Sequence, residues 1–190
     1  MFTGIITNLG KVSKKTNNKL QIEAEAALLK QLKLGTSIAI NGICLTVTAK
    51  SKSSFSIKYM PETAKKTNIH YLKAGGLVNL ELPATYNSFI SGHIVQGHVD
   101  TIGKIIGIQK EGNSRIFTFS TPSSITNYIV NKGSITVNGI ALTVINVNKN
   151  SFTVGIIPYT WEHTMLHKAK IGNLVNIEVD ILAKYVEKLL

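Results

Sequence analysis

The chain has 190 residues, 44% hydrophobic and 16% charged, enough apolar material for packed cores and too little charge for a disordered protein. A single cysteine, Cys44, excludes an internal disulfide and a thiolate metal site, and a free thiol fits a reducing compartment. No apolar run approaches the roughly 18 residues of a membrane helix, and the opening MFTGIITNLG lacks the basic stretch and cleavage site of a secretory signal, so the expectation is a cytoplasmic protein with no membrane partner. The net charge of +11 comes from 20 lysines and one arginine, Arg115, scattered along the chain with few aromatics between them. That reads as a solvated lysine coat and argues against a nucleic-acid face, a reading that would rest on charge alone. Ile, Lys and Asn (25, 20 and 16 residues) make up about a third of the chain, a compositional drift that accounts for the charge.

In chain order, the pattern predicts strands over 5–14 and 20–24, a short helix over 26–32, a hairpin turning near 50–53, and a helix opened by Pro61. The same order then returns. Strands are predicted over 101–109 and 115–120 and a helix over 122–130 with Pro122 at its first position. A hairpin follows (142–148, a Lys149-Asn150 turn, 151–157), then a helix opened by Pro158. The return is a repeat. Asn41-Gly42-Ile43-Cys44-Leu45-Thr46-Val47 recurs as Asn138-Gly139-Ile140-Ala141-Leu142-Thr143-Val144, six of seven identical at an offset of 97. Phe55 with Phe152, Pro61 with Pro158, and Val78-Asn79-Leu80-Glu81 with Val175-Asn176-Ile177-Glu178 share that offset. Residues 4–12 match 97–105 at an offset of 93, so four extra residues lie before the second Asn-Gly motif. The chain is therefore two copies of one unit, 1–90 and 91–178, each of five to seven short strands and two small helices, which predicts a closed antiparallel barrel. Residues 179–190 differ from both. Ile181, Leu182, Tyr185, Val186 and Leu189 fall at helical spacing, and so short a helix with little core of its own to cover is expected to pack on another subunit.

No dinucleotide fingerprint, phosphate loop, HExxH or paired-carboxylate spacing is present. Two histidines, His93 and His98, stand in Gly92-His93-Ile94-Val95-Gln96-Gly97-His98; strand alternation places them on opposite faces, poor geometry for one metal. They read either as surface or satisfied core residues or as acid-base groups. Cys44 reads either as a small buried hydrophobe or as a pocket group, since it replaces Ala141 inside a near-identical motif.

Several motifs in order resemble riboflavin synthase of the alpha-chain type along the whole chain: Met1-Phe2-Thr3-Gly4-Ile5-Ile6, the Asn-Gly-x-Cys-Leu-Thr-Val motif, Met60-Pro61-Glu62-Thr63, and Gly92-His93-x-x-x-Gly97-His98-Val99-Asp100. Further on come the second Asn-Gly motif, Ile157-Pro158-x-Thr160-Trp161-Glu162-His163-Thr164, and Val175-Asn176-Ile177-Glu178-Val179-Asp180 with Lys184-Tyr185-Val186. The resemblance implies an all-β chain of two tandem six-stranded, closed, Greek-key barrels with short helices and a C-terminal oligomerisation helix. It implies a cytoplasmic homotrimer whose active site lies between the first barrel of one subunit and the second of another, with no metal or organic cofactor. The reaction, the last step of riboflavin biosynthesis, is a transferase dismutation: two molecules of 6,7-dimethyl-8-ribityllumazine give riboflavin and 5-amino-6-ribitylaminouracil by transfer of a four-carbon unit. Lumazine synthase is a candidate partner.

By the same resemblance, the first pocket takes Gly4, Ile5, Ile6, Cys44, Leu45, Thr46 and Lys58, Tyr59, Met60, Pro61, Glu62, Thr63. The second takes Gly97, His98, Val99, Ala141, Leu142, Thr143 and Gly155, Ile156, Ile157, Pro158, Tyr159, Thr160, with Lys132 reaching a ligand held by a neighbouring chain. Ser37, Cys44, Thr46, His98, Thr143 and Asp180 match positions implicated in catalysis. Ala141 stands where the family usually has serine, and Lys58 where an acidic residue is common. The competing reading is a non-catalytic lumazine- or flavin-binding protein of the antenna type, which shares the fold.

Overall fold

The computed structural model describes residues 1–190. In the first half, β1 (Asn8–Thr16) and β2 (Lys19–Glu23) precede α1 (Ala26–Gln31). Then come β3 (Ser37–Ile40), β4 (Ile43–Lys50), β5 (Ser54–Lys58), α2 (Pro61–Lys66) and β6 (Leu77–Glu81). The second half repeats the order with β7 (Thr101–Glu111), β8 (Ser114–Ser120), α3 (Ser123–Thr126), β9 (Ser134–Val137), β10 (Ile140–Asn148), β11 (Ser151–Ile156), α4 (Pro158–His163) and β12 (Leu174–Val179). A last helix, α5 (Ile181–Leu189), follows. Each half closes into a six-stranded antiparallel barrel, ordered β1-β2-β5-β4-β3-β6 in the first and matched strand for strand in the second. Three hairpin-linked strands flanked by the strand before them make a Greek key. No helix is long and apolar enough to cross a membrane.

Alternation along the strands fills each barrel. Ile43, Leu45 and Val47 of β4 and Ile140, Leu142 and Val144 of β10 point into separate cores with Phe55 and Phe152. Closure needs bent strands, and both barrels bend at matching places, with register shifts at Val12/Lys14 and Val47/Ala49 and again at Ile105/Gly107 and Val144/Asn146. The four extra residues lie in the β7–β8 hairpin: Val12 pairs with Ile22 and Ile105 with Phe119, offsets of 93 and 97.

Three expectations shift. The first strand starts at Asn8 and not residue 5, because residues 4–7 leave their own barrel for the other one. The helix predicted over 122–130 is the single turn Ser123–Thr126, with Pro122 at its N-cap, where a residue without an N–H loses nothing. His93 and His98 do not share a strand. Their segment is irregular, and Val95 forms only an isolated bridge with Phe2.

The barrels meet through the Asn-Gly turns. Asn41 and Asn138 (φ 47° each) with Gly42 and Gly139 (φ 75° and 79°) form the left-handed pairs of type I′ hairpins. A Cβ on Gly42 would lie 2.6 Å from Gly139 N, so only glycine lets the turns touch. Around them, Asn79 Nδ2 donates to Asn138 O (2.9 Å) and Asn176 Nδ2 to Asn41 O (2.8 Å), a reciprocal pair across the joint. Those buried asparagines explain why the Val-Asn-x-Glu landmark recurs in register.

Candidate active site

Cys44 and Thr46 alternate with the core residues of β4 and therefore stand on the outer face of the barrel, where Ser37 of β3 pairs with Thr46. Ala141 and Thr143 occupy the same face of β10. The candidate half-sites are thus on the outer faces of the barrels, whose interiors are filled by their cores. Beside β4 the stretch Lys58 to Thr63 contributes exposed Lys58, Met60 and Glu62, while Tyr59 is buried and donates its OH to Asn17 O (3.1 Å). Burial raises the Tyr59 pKa, so it stays a neutral donor. In the second barrel Pro158 opens α4, Tyr159 stacks on His163 with ring centroids 4.0 Å apart, and Thr160 O accepts from Thr164 Oγ1 at 2.7 Å.

The segments expected to complete each pocket are exchanged between barrels. Gly97 O accepts from Cys44 N (2.9 Å), a Cβ on Gly97 would lie 2.7 Å from the Cys44 Cβ, and Val99 packs on the first core. Conversely Gly4 O accepts from Ala141 N (2.8 Å), and Ile6 packs on the second core. The grouping by position in the chain is corrected accordingly: Gly97, His98 and Val99 belong with Cys44, Leu45 and Thr46, and Gly4, Ile5 and Ile6 with Ala141, Leu142 and Thr143. The cause is local. Phe2, 1% exposed, pairs with Val95 through two hydrogen bonds, so the two segments run past each other at the joint and each lands on the opposite barrel.

The catalytic candidates consequently divide. Ser37, Cys44 and Thr46 share the outer face of the first barrel, the candidate first half-site, which the chain reaches at Gly97, one residue before His98. Thr143 is on the second. Asp180 caps α5, accepting from Leu182 N at 3.0 Å, and its charge opposes the burial that lowers the pKa of His93. His93 Nε2 lies 3.1 Å from Thr136 Oγ1, and the preceding Gly92 is packed against Ala141. His93 was singled out from the sequence without a side; the fold puts it by the second half-site. Lys132 is exposed at the rim of the second barrel, at the position where the first has Gly35. Two residues were missed, Glu81 and Glu178, which hold the exchanged segments; their recurrence in the repeated landmark was the available signal. A cavity of about 770 Å³ lies against Asn17, Tyr59, Pro61 and His70. A smaller counterpart of about 630 Å³ sits where Arg115 covers the Trp161 ring at 3.8 Å. Neither contains Cys44, His98 or Thr143, so the chemistry-bearing groups are elsewhere.

The chain is two tandem closed barrels, each with the same motif on its outer face, and the lumazine binding domain model matches residues 3–83 and again 96–180. Along the whole chain it is 42% identical to riboflavin synthase from Actinobacillus pleuropneumoniae and 39% identical to that from Bacillus subtilis (strain 168), covering 90% of each. The chain belongs to the riboflavin synthase family of lumazine-binding proteins. Its fold also matches LumP complexed with riboflavin (TM-score 0.88, 21% identity, 95% of this chain and all of that one). The match to LumP complexed with 6,7-dimethyl-8-(1'-D-ribityl) lumazine has a TM-score of 0.85.

Proposed function

We infer that the protein catalyses the riboflavin synthase reaction, transferring a four-carbon unit between two molecules of 6,7-dimethyl-8-ribityllumazine. The observation that carries it is the pair of outward half-sites built from one repeated motif, in a chain about 40% identical to riboflavin synthases along its length. A reaction between two identical molecules is served by two similar pockets, and holding both rings in register can remove roughly 7 to 11 kcal/mol of barrier. The atoms of two substrates equal those of the two products, so no external oxidant or reductant enters.

The substrate's C7 methyl must lose a proton, and the second ring must be attacked. Cys44, Thr46, Ser37 and His98 are the groups of the first half-site able to move those protons, and Thr143 with Asp180 serves the second. No single half-site holds the full set, which supports assembly of the working site from the first barrel of one subunit and the second of another. The exposed stripe Leu182, Tyr185, Val186 and Leu189 on α5 supports a homotrimer held by that helix.

The antenna reading rests on the shared fold alone, at 21% identity. Incubation with ribityllumazine separates the two: riboflavin released at one molecule per two consumed supports the synthase, and tight binding without turnover overturns it.

A further inference from the structure

Each exchanged segment is clasped by one buried carboxylate. Glu81, 5% exposed at the end of β6, accepts from Thr3 N (2.7 Å), Thr3 Oγ1 (2.9 Å) and Gly4 N (3.1 Å). Glu178, also 5% exposed at the matching place in β12, accepts from Gln96 N (2.7 Å) and Gly97 N (3.0 Å) only. In both, the clasped donors lead into a left-handed glycine, Gly4 at φ 77° or Gly97 at φ 78°, whose carbonyl reaches across to the other barrel. The segment is therefore pinned before the glycine by the carboxylate and after it by the strand it crosses.

Resting on the synthase reading, we propose that Glu178 is a positioning residue for the first half-site, holding Gly97 against Cys44 and so setting where His98 stands. The ionised carboxylate accepts one N–H on each oxygen, Gln96 N on Oε1 and Gly97 N on Oε2; a proton on either oxygen weakens the bond made there by removing its charge and setting an O–H beside that N–H. Burial pushes Glu178 up to about 7, the bonds from Gln96 and Gly97 N–H oppose this, Asp100 adds to it and Lys184 opposes it. These are the charged groups that face it: Lys184 of α5 bonds Asp100 at 2.6 Å, and His93 approaches through Thr136, the residue paired with Glu178 on β9. On β7 the nearest is Lys104, which pairs with Leu174. Glu81 has a third donor in the Thr3 hydroxyl that Gln96 cannot match, so the His98 segment is the one whose clasp loosens near neutrality.

The test compares the full chain with Glu178→Gln, which keeps one acceptor and sets an amide N–H against a backbone donor. Amide exchange over 93–100 is expected to speed up about tenfold while β4 and β12 stay protected, with kcat on ribityllumazine falling about tenfold or more and KM moving less than about threefold. The wild-type kcat is expected to fall as pH drops below about 7, a limb the variant lacks. Unchanged exchange with unchanged kcat overturns the proposal, as does exchange accelerated throughout the barrel. Should the variant not fold, carbon-13 titration of the wild-type Glu178 carboxyl decides: a midpoint near 7 shared with kcat supports it, and the ordinary value near 4.5 overturns it. A wild type that makes no riboflavin sinks the synthase reading by itself, and the exchange result still decides whether Glu178 holds the segment.

Discussion

Lys132 adopts φ 64°, a backbone region lysine avoids, where the first barrel has Gly35 at φ 80°; both N–H groups make the same bond, to Val144 O and Val47 O. A side chain there costs about 1 to 2 kcal/mol, which fits retention for a ligand contact. Lys132→Gly is expected to raise stability by about 1 kcal/mol in urea unfolding and to weaken lumazine binding; unchanged affinity would remove the lysine from the site. Ala141 puts a methyl where the resemblance to the synthases leads one to expect a serine hydroxyl, yet Cys44, Thr46, His98 and Thr143 are present. Losing one hydrogen bond is worth about 0.5 to 1.5 kcal/mol, so Ala141→Ser should change turnover by about tenfold or less, and Cys44→Ala or His98→Ala should lower it further. An inactive wild type rescued by Ala141→Ser would promote the antenna reading.

At the scale of elements, α5 is tied to the second barrel by Lys184 on Asp100 and by Tyr128 OH on Glu187, yet its apolar stripe stays exposed. Truncation after Asp180 spares Val179, which β12 needs for its pairing with Ile135. Sedimentation equilibrium of that truncation is expected to show folded monomers without synthase activity; persistent trimers would assign the contact elsewhere. The exchanged segments behave as elements too, although neither belongs to a regular strand. Gly97→Ala meets both a left-handed φ and the Cys44 Cβ, so activity should fall well before the barrels melt, as read by comparing kcat with Tm.

For the whole molecule, each barrel has its own core, but a segment of the other half packs on the outer face that carries its repeated motif. A fragment of residues 1–90 should fold yet bind ribityllumazine at least about tenfold more weakly than a fragment of residues 1–100, which carries Gly97 to Val99; equal affinities would deny the borrowed segment a role. Stability carries a pH signature as well. Native Glu178 keeps its proton to about 7 whereas the unfolded chain releases it near 4.5, so its contribution declines as pH rises through that window. Wild type should lose stability relative to Glu178→Gln between about pH 5 and pH 8, measured by parallel urea titrations.

The duplicated barrel was legible in the residues because a repeat at one offset, strand alternation and Asn-Gly turns are local signals. Cys44, Thr46, Ala141 and Thr143 could be placed on one face from alternation alone. What alternation cannot reveal is which barrel a segment joins once it leaves its strand. Gly4 and Gly97 sit at the same place in each copy, so their own sequence points each to its own half; only the Phe2–Val95 pairing at the joint sends them across. The clasps at Glu81 and Glu178 were hidden for the same reason, since a glutamate ending a strand is ordinary until a partner about 80 residues away supplies its donors. Local periodicity and the repeat thus determined the barrels and the motif faces, whereas the assembly of each half-site was decided by packing between the halves, through hydrogen bonds that no sequence-near pattern encodes.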